Sequence, residues 1–398
     1  MSHIPSDGRV LRQMGCLRAA GWQVTAVGCA ANETAVTADQ IIDGIRHVLV
    51  PRPIWSMRAR LSAGVDLLHG RLSEDWRAAR DRALRLPGLK ELSQQVLAIA
   101  ADAGKGRQIL IVANDWMALP AALLAQEKFG VPFHYDSHEL AVAEHETQLG
   151  WKLLFPHTIA AIERQAVRHA RSISTVSPGI ADWLRRSYRL TTAPTVTLNV
   201  PDAEALPPSP VGQTHSVLYH GLFKPDRGLM RLIDSVADWP DHFLLTLRGD
   251  APQPRFKRAL QKKALNSIAR KRIALEPAVQ PDDVMRAANR ADIGVFLPDL
   301  ETSQNRYCLP NKLFEYLQAG LMVIVPAETD MAAVVAAHRC GIVLDDASPT
   351  GLARALSRLT ADEIRQYKAA AHAAAQTLSW QQQSRHLSEL FAIPLSPP

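Results

Sequence analysis

The sequence predicts an α/β protein built from two doubly wound, Rossmann-like domains that face each other across a cleft. Three observations support this prediction. Short β-branched segments alternate with longer helical patterns, which is typical of parallel sheets covered by helices on both faces. The alternation occurs twice along the chain. At 398 residues the chain is also too long for one ordinary hydrophobic core.

Each half of the chain contributes a similar series of predicted strands. In the first half they are Trp22–Gly28, His47–Val50, Ile109–Ala113, Val131–Asp136, Ser172–Val176 and Thr195–Val200. In the second half they are Ser216–His220, Phe243–Arg248, Ile273–Glu276, Ile293–Leu297, Met322–Pro326 and Ile342–Leu344. Helical patterns separate them, among them Pro120–Phe129 and Thr158–Ala170.

A proline-rich segment indicates where the two domains meet. Residues 201–214 hold four prolines and few apolar side chains, as a linker does. We therefore expect one Rossmann-like domain over 1–200 and a second over 201–378. A final helical segment over 379–398 is expected to pack back on the first domain. Open α/β sheets bind ligands at the carboxyl ends of their strands, so the predicted ligand site is the cleft.

Composition narrows the classes of function. The chain has 45 basic and 39 acidic residues and a net charge of +6, which suits small anionic ligands. A basic run interleaved with aromatic side chains would indicate a nucleic-acid partner, and the sequence contains no such run. The four cysteines lack C-x-x-C spacing, and no apolar segment is long enough to span a bilayer. We expect a cytoplasmic protein without a structural metal.

The segment over residues 51–90 is rich in arginine. It carries nine basic and four acidic residues, with tryptophan and leucine at roughly helical spacing. One interpretation is a solvated helical face over a core stripe. The other is a basic amphipathic surface that touches anionic lipid at the inner face of the membrane. The first interpretation is favoured.

The amino-terminal segment over residues 6–27 has the pattern of a turn, a helix and a strand. Gly8 allows backbone amides to approach a ligand at the start of the helix, where anions are favoured. A strand should precede Asp7, yet only Met1–Ile4 are available for it. We therefore expect a weak edge in the first sheet.

A dense polar cluster follows the strand within HYDSHEL, residues 134–140. Asp136, His138 and Glu139 are titratable, and such residues at the carboxyl end of a strand usually face the ligand. The alternative is a helix cap at Asp136 or Ser137. His138 is the residue for which function is favoured.

Two segments of the second half predict a site for a phosphorylated ligand. Lys224 and Arg227 follow a strand and Gly221, so that fixed positive charge lies beside a helix start and could hold a diphosphate. In the segment over residues 305–325, Asn311 and Lys312 begin a helix. A cation there is favoured only opposite an anionic ligand. Glu315, one turn later, can accept two hydrogen bonds from a ribose diol.

These segments, taken in order, resemble the family 4 retaining glycosyltransferases of the GT-B fold, which transfer sugars from nucleotide-sugar donors. The similar segments are D-x-RV over 7–10, ANDWMALPAALLA, YDSHEL, IERQAVRHARSISTVSPGIADWL, YHGLFKPDRGL, LPNKLFEYLQAGLMVIV and SWQQQSRHLSELF. They cover nearly the whole chain. The resemblance implies that 1–200 is the acceptor-side domain and that 201–378 is the nucleotide-sugar-binding domain.

The resemblance implies roles for individual residues. Glu315 matches the second glutamate of the family's E-x7-E motif, which implies a ribose contact. Lys224 and Arg227 match the basic pair of the phosphate loop, and His138 matches the histidine near the donor sugar. Tyr307 stands where the first glutamate is expected, which weakens the prediction of the donor sugar.

Two further departures from the family pattern concern other segments. Asn114 stands where a histidine is common, and the segment over residues 247–250 lacks the usual pair of glycines.

The resemblance also implies a mechanism. We expect cations and helix amides to neutralise the departing diphosphate. No metal or other cofactor is expected, because the one candidate for a metal-binding D-x-D motif, Asp299-Leu300-Glu301, is weak. The departing phosphate deprotonates a saccharide or lipid-linked acceptor, and His138 orients the sugar. A role in cell-envelope or exopolysaccharide synthesis is expected. Two alternatives are a nucleotide-sugar 2-epimerase and a non-catalytic homologue that binds the nucleotide-sugar.

Overall fold

The computed structural model divides the chain into two compact units. Unit 1 comprises residues 1–198 and 384–398, and unit 2 comprises residues 199–383. The structure describes residues 4, 7–30, 37–51, 75–86, 88–103 and 108–392. Most of the arginine-rich segment and the residues before Ile4 lie outside the described residues, so the predictions made for them are not addressed.

Unit 1 contains seven strands and seven described helices. The strands are β1 Thr25–Cys29, β2 Ala38–Ile42, β3 Ile45–Val50, β4 Ile111–Asn114, β5 Phe133–Ser137, β6 Ser172–Thr175 and β7 Thr195–Val196. The first six helices are α1 Gly8–Ala19, α2 Trp76–Ala83, α3 Leu89–Ala103, α4 Leu119–Phe129, α5 Leu149–His169 and α6 Pro178–Tyr188. The last helix of the chain begins in unit 2 and runs into unit 1, where Phe391 packs edge-on against the ring of His134 at 5.2 Å.

The strands of unit 1 form two separate sheets. One has the order β1-β3-β2, and the other has the parallel order β4-β5-β6-β7. Residues of β1, α1 and β4 line a cavity of about 150 Å³ between the sheets. Asn114 is paired in register with Asp136, so the carboxyl ends of β4 and β5 lie side by side.

One strand of unit 1 contradicts the all-parallel prediction. β2 runs antiparallel to β3, and the two are joined by Asp43 and Gly44, both with positive φ. Asp-Gly is a strong signal for a tight hairpin turn, because both central residues of such a turn adopt left-handed backbone angles. The sequence therefore carried the signal, and the prediction missed it.

Unit 2 contains one continuous parallel sheet. Its strands are β8 His215–His220, β9 Phe243–Arg248, β10 Ile273–Glu276, β11 Ile293–Val295, β12 Met322–Pro326 and β13 Gly341–Leu344. Its helices are α7 Leu229–Ser235, α8 Pro254–Asn266, α9 Val284–Ala288, α10 Ser303–Tyr307, α11 Asn311–Gln318, α12 Asp330–His338, α13 Pro349–Arg358, α14 Ala361–Thr377 and the start of α15 Trp380–Ala392.

The strand order of unit 2 determines where a ligand fits. The order is β10-β9-β8-β11-β12-β13, so the chain reverses its direction of winding between β8 and β11. Ligands of doubly wound sheets bind outside the carboxyl ends of the strands at this point. β12 is buried along its whole length, as expected for a strand covered on both faces.

The predicted elements are present in both units, and the differences concern their ends. The predicted strand Thr195–Val200 is only two residues long. The helix predicted over Thr158–Ala170 begins earlier, at Leu149, and contains Pro156. Within the described residues, none of the helices combines the length and the apolar character that crossing a bilayer requires.

Candidate functional site

In unit 1, polar side chains gather at the carboxyl ends of β4 and β5. His138 Nε2 lies 2.9 Å from Asp136 Oδ2 and 3.0 Å from Asn114 Oδ1. Its Nδ1 lies 3.4 Å from Asp115 Oδ2. Burial lowers the pKa of His138, but Asp115 and Asp136 outweigh burial and raise it to about 9. His138 is therefore an imidazolium at neutral pH, with both ring nitrogens close to oxygen atoms.

A buried ion pair holds this imidazole cluster in place. Arg9 on α1 makes a two-pronged contact with Asp136, with both nitrogen–oxygen distances at 2.8 Å. Both side chains are almost fully buried, at 2% and 0% exposure. Burial raises the pKa of Asp136, but Arg9 and His138 more than reverse this and hold it well below its usual range. Asp136 also accepts hydrogen bonds from Gln13 and Ser174.

The helix-cap alternative for this cluster is wrong. Asp136 and Ser137 belong to β5, and the short helical turn over Ala141–Ala143 that follows has no side-chain cap. Gly8 lies at the start of α1, where the carboxylate of Asp7 already accepts the backbone N–H of Val10 at 3.2 Å. A bound anion there would meet this carboxylate, which weighs against the role predicted for Gly8.

In unit 2, three separate segments bring two cations to one aromatic ring. Lys312 Nζ lies 4.3 Å from the centre of the Phe296 ring, and Arg227 Cζ lies 5.4 Å from it. Lys312 also donates a hydrogen bond to the Tyr219 hydroxyl at 2.8 Å. A Cβ atom at Gly221 would stand 3.5 Å from Lys312 Nζ. We call these five residues the cation pocket.

The charges within the cation pocket affect one another. Burial, and then the guanidinium of Arg227, lowers the pKa of Lys312 well below its usual range. Two cations packed beside the same ring repel each other, so the pocket has positive charge that is not compensated. An anionic ligand between them would remove that repulsion.

The helix that carries Lys312 also carries Glu315, and the two side chains face different partners. Glu315 Oε2 lies 3.0 Å from His220 Nε2, although the two atoms are not aligned as a hydrogen bond. The ring of His220 stacks on Tyr316 with 4.6 Å between centroids. His220 is the last residue of β8, and the sequence prediction overlooked it although the residue precedes the predicted Gly221 turn.

Two predicted residues do not join the cation pocket. Lys224 is exposed, and within the described part of the chain no ion pair involves it. Asn311 begins α11 and is also exposed. The spacing of Lys224 and Arg227 predicted a pair, but the intervening short helical turn over Pro225–Arg227 directs only Arg227 to Phe296.

Two sequence-family patterns together match most of the chain. The pattern described as "Glycosyl transferase 4-like domain" matches residues 8–200, and the pattern described as "Glycosyl transferases group 1" matches residues 214–362. No curated protein matches the chain by sequence.

Solved structures show the same fold at low sequence identity. A sucrose-phosphate synthase from Thermosynechococcus elongatus is 16% identical with a TM-score of 0.69, covering 96% of this chain and 92% of its own. A structure described as trehalose-6-phosphate from E. coli bound with UDP-2-fluoro glucose is 13% identical with a TM-score of 0.68, covering 99% and 98%.

A third structure, HepE from Anabaena in complex with UDP, is 16% identical with a TM-score of 0.64, covering 93% of this chain and 99% of its own. At these identities the likeness shows the shared fold of two Rossmann-like domains, while the two family patterns show the kind of enzyme. The chain therefore consists of a glycosyl transferase 4-like domain and a glycosyl transferases group 1 domain, and it is a glycosyltransferase of the GT-B fold.

Proposed function

We propose that this glycosyltransferase moves a sugar, with retention, from a nucleotide-sugar donor to a saccharide or lipid-linked acceptor. The observation that carries the proposal is the convergence of Arg227 and Lys312 on Phe296 beside Gly221. This group lies at the carboxyl edge of the unit 2 sheet, at the switch between β8 and β11. UDP-sugars are the first donors to test, because two of the similar structures were solved with UDP or a UDP-sugar.

The cation pocket suits a diphosphate. Arg227 offers a planar group that can hold two phosphate oxygens, and Lys312 offers a compact charge. Charge develops on the diphosphate as the bond to the sugar breaks, so preorganised cations stabilise the transition state more than the ground state. In this proposal, transfer does not require a metal.

Glu315 is assigned to the ribose of the donor. Its carboxylate is about a quarter exposed, at 26%, so it keeps free oxygen lone pairs beside the contact with His220. His220 is fixed by stacking on Tyr316, and it limits the directions in which Glu315 can point.

His138 is assigned to the sugar as a hydrogen-bond donor. Because Asp115 and Asp136 keep it an imidazolium, with a pKa raised to about 9, it cannot accept the acceptor's proton at neutral pH. The departing phosphate is left as the base in this proposal. The synthesis of a cell-envelope or extracellular polysaccharide is the cellular role that we propose for the reaction.

The first experiment is a thermal-shift screen of UDP-, GDP- and ADP-sugars, followed by a transfer assay with the donor that stabilises the protein. We expect Arg227→Gln and Lys312→Met to lower kcat by about 100-fold or more, because each removes one preorganised cation. Lys224→Ala should have a much smaller effect, because its side chain is exposed.

Arg290→Gln is the matched control, since Arg290 is also an exposed cation of unit 2. Near wild-type turnover in both Arg227→Gln and Lys312→Met would contradict the assignment of the diphosphate site. Product analysis without an acceptor separates the enzyme from an epimerase, which would convert the donor alone.

Donor binding should also change the protonation of Lys312. A diphosphate raises the pKa that burial and Arg227 have lowered, so binding takes up protons in the pH range between the two values. Titration calorimetry with UDP in two buffers of different ionisation enthalpy measures this uptake. The uptake should disappear in Lys312→Met, and an unchanged uptake would show that another group takes up the proton.

A further inference from the structure

Helix α8 and the turn after it form the most one-sided charged segment that the structure describes in unit 2. Residues 255–272 contain eight lysines and arginines and no aspartate or glutamate. Three of the cations form ion pairs within the unit: Lys257 with Asp250, Lys263 with Asp234, and Arg272 with Asp241. Five others are exposed and make no ion pair with any described residue: Arg255, Arg258, Lys262, Arg270 and Lys271.

The unpaired cations of α8 lie on one face of the helix. Arg255, Arg258 and Lys262 are spaced by three and four residues, which places them in one line along the helix surface. The opposite face holds the buried Leu260 and Ala264 and packs on the domain. The line of cations is therefore turned towards solvent over most of the length of the helix.

Two large, exposed apolar side chains follow these cations along the chain. Leu265 comes three residues after Lys262 and is 70% exposed. Ile268, just beyond the helix, is 89% exposed, the highest exposure among the large hydrophobic residues of the described chain. We call Arg255, Arg258, Lys262, Leu265 and Ile268 the α8 stripe. Isolated exposed apolar side chains are ordinary, but Leu265 and Ile268 beside the three cations of the stripe form a surface with two kinds of contact.

We propose that the α8 stripe binds an anionic lipid surface, with its cations on the headgroups and Leu265 and Ile268 among the acyl chains. The charge of the stripe complements anionic headgroups, and apolar side chains at its end strengthen such binding by entering the interface. A nucleic-acid backbone would satisfy the cations but would leave both apolar side chains in water. The exposed residues of the stripe include no aromatic side chain on which a base could stack.

The apolar end of the stripe lies away from the cation pocket. α8 follows the carboxyl end of β9 and ends before the amino end of β10. Leu265 and Ile268 therefore lie towards the amino ends of the strands, whereas Gly221 and Lys312 lie at their carboxyl edge. The proposal does not depend on the proposed donor, and its test requires no sugar nucleotide.

The test is co-sedimentation of the full chain with vesicles of phosphatidylcholine alone and of phosphatidylcholine with about one-third phosphatidylglycerol. We expect at least about tenfold stronger partitioning onto the anionic vesicles at low salt, falling steeply as salt screens the headgroups. The double variant Arg258→Glu with Lys262→Glu should lower this partitioning by about tenfold or more.

A second variant and a control separate the two kinds of contact. Leu265→Ser with Ile268→Ser keeps the charge and should weaken binding by several-fold, about as expected for lost apolar insertion. Arg286→Glu with Arg290→Glu makes the same change in charge at two exposed cations of α9 and the loop after it. This control should bind as the wild type does, and thermal midpoints confirm that each variant is folded.

Three outcomes would overturn the proposal. The wild type could bind anionic vesicles no better than neutral ones, or the control could lose as much binding as the stripe variant. Binding of a single-stranded RNA oligonucleotide with equal strength, unaffected by Leu265→Ser with Ile268→Ser, would instead indicate a general polyanion site. Loss of binding in both stripe variants but not in the control supports the lipid surface.

Discussion

The two units build the same kind of domain and hold it together in different ways. In unit 2, backbone hydrogen bonds join six parallel strands without a break. In unit 1, the described strands form two sheets with a cavity of about 150 Å³ between β1 and β4. α1 packs on the first sheet through Val10 and Met14, and its Arg9 reaches Asp136 of the second.

This difference indicates which interactions each unit depends on for its stability. In unit 2, the continuous ladder of backbone hydrogen bonds distributes stability over many similar bonds. In unit 1, apolar contacts of α3 link the two sheets, and one buried ion pair adds a joint made of a few polar groups. Breaking such a pair leaves an uncompensated buried charge. The following predictions test this contrast, from the largest expected effect to the smallest.

The largest effect should come from removing Asp136. Asp136→Ala leaves Arg9 buried and unpaired, so we expect unit 1 to lose about 3–5 kcal/mol of unfolding free energy. The comparison in unit 2 is Lys368→Met, which removes the cation of the buried pair with Asp292, where the nitrogen–oxygen distance is 3.1 Å. Asp292 keeps the Ser216 backbone N–H as a donor, at 2.9 Å.

Denaturant unfolding with hydrogen exchange resolved by peptide measures both variants. Lys368→Met should cost less, about 1–3 kcal/mol, because Asp292 remains hydrogen-bonded. Equal losses in the two units would contradict the idea that one ion pair joins the sheets of unit 1.

A second effect concerns pH. Burial raises the pKa of Glu163 to about 7, although the hydroxyls of Tyr135 and Tyr188 donate hydrogen bonds to it. His138 is raised to about 9. Both groups bind a proton more tightly in the folded unit than in the unfolded chain, where their pKa values are 4.5 and 6.5. Their stabilisation is lost as pH rises through 7 for Glu163 and through 9 for His138.

Unit 2 should respond in the opposite direction. Folding lowers the pKa of Lys312 from 10.5, so its burial costs least at high pH. Between about pH 6 and 9, we expect unit 1 to lose about 3 kcal/mol from His138 but only about 1 kcal/mol from Glu163, because most of the Glu163 loss falls between its unfolded pKa of 4.5 and pH 6. Calorimetry at three pH values should show that, as pH rises, the midpoint temperature of the unfolding transition of unit 1 decreases relative to that of unit 2. In Glu163→Gln, the stability of unit 1 should decrease less with rising pH than in the wild type. A decrease equal to that of the wild type would show that Glu163 does not contribute to it.

The smallest effect provides a calibration between the units. Ser177 and Ser348 each cap a helix, α6 and α13, and each is followed by a proline. Replacing either serine by alanine removes one hydrogen bond to the backbone and should cost about 1 kcal/mol. If the Ser177→Ala loss is several times larger than the Ser348→Ala loss, unit 1 is sensitive to any perturbation and not to its ion pair in particular.

Much of the fold could be predicted because it depends on local patterns. Alternating apolar segments predicted the strands of all three sheets except β2, and Asn311 with Lys312 marked the start of α11. The hairpin of β2 and β3 was missed, although Asp43 and Gly44 carry its local signal. His220 was missed because a histidine at the end of a buried strand has no local pattern that distinguishes a structural residue from a ligand-site residue.

The sequence by itself determined the class of fold, the repeated plan of the two halves, and the chemistry available at the strand ends. Only the tertiary structure decided which charges meet. Arg9 and Asp136 are 127 residues apart, and Lys312 and Tyr219 are 93 residues apart. Spacing along the chain cannot reveal such contacts, because burial and the path of intervening segments set them. For the same reason Arg227 joins the cation pocket while Lys224, three residues earlier, remains in solvent.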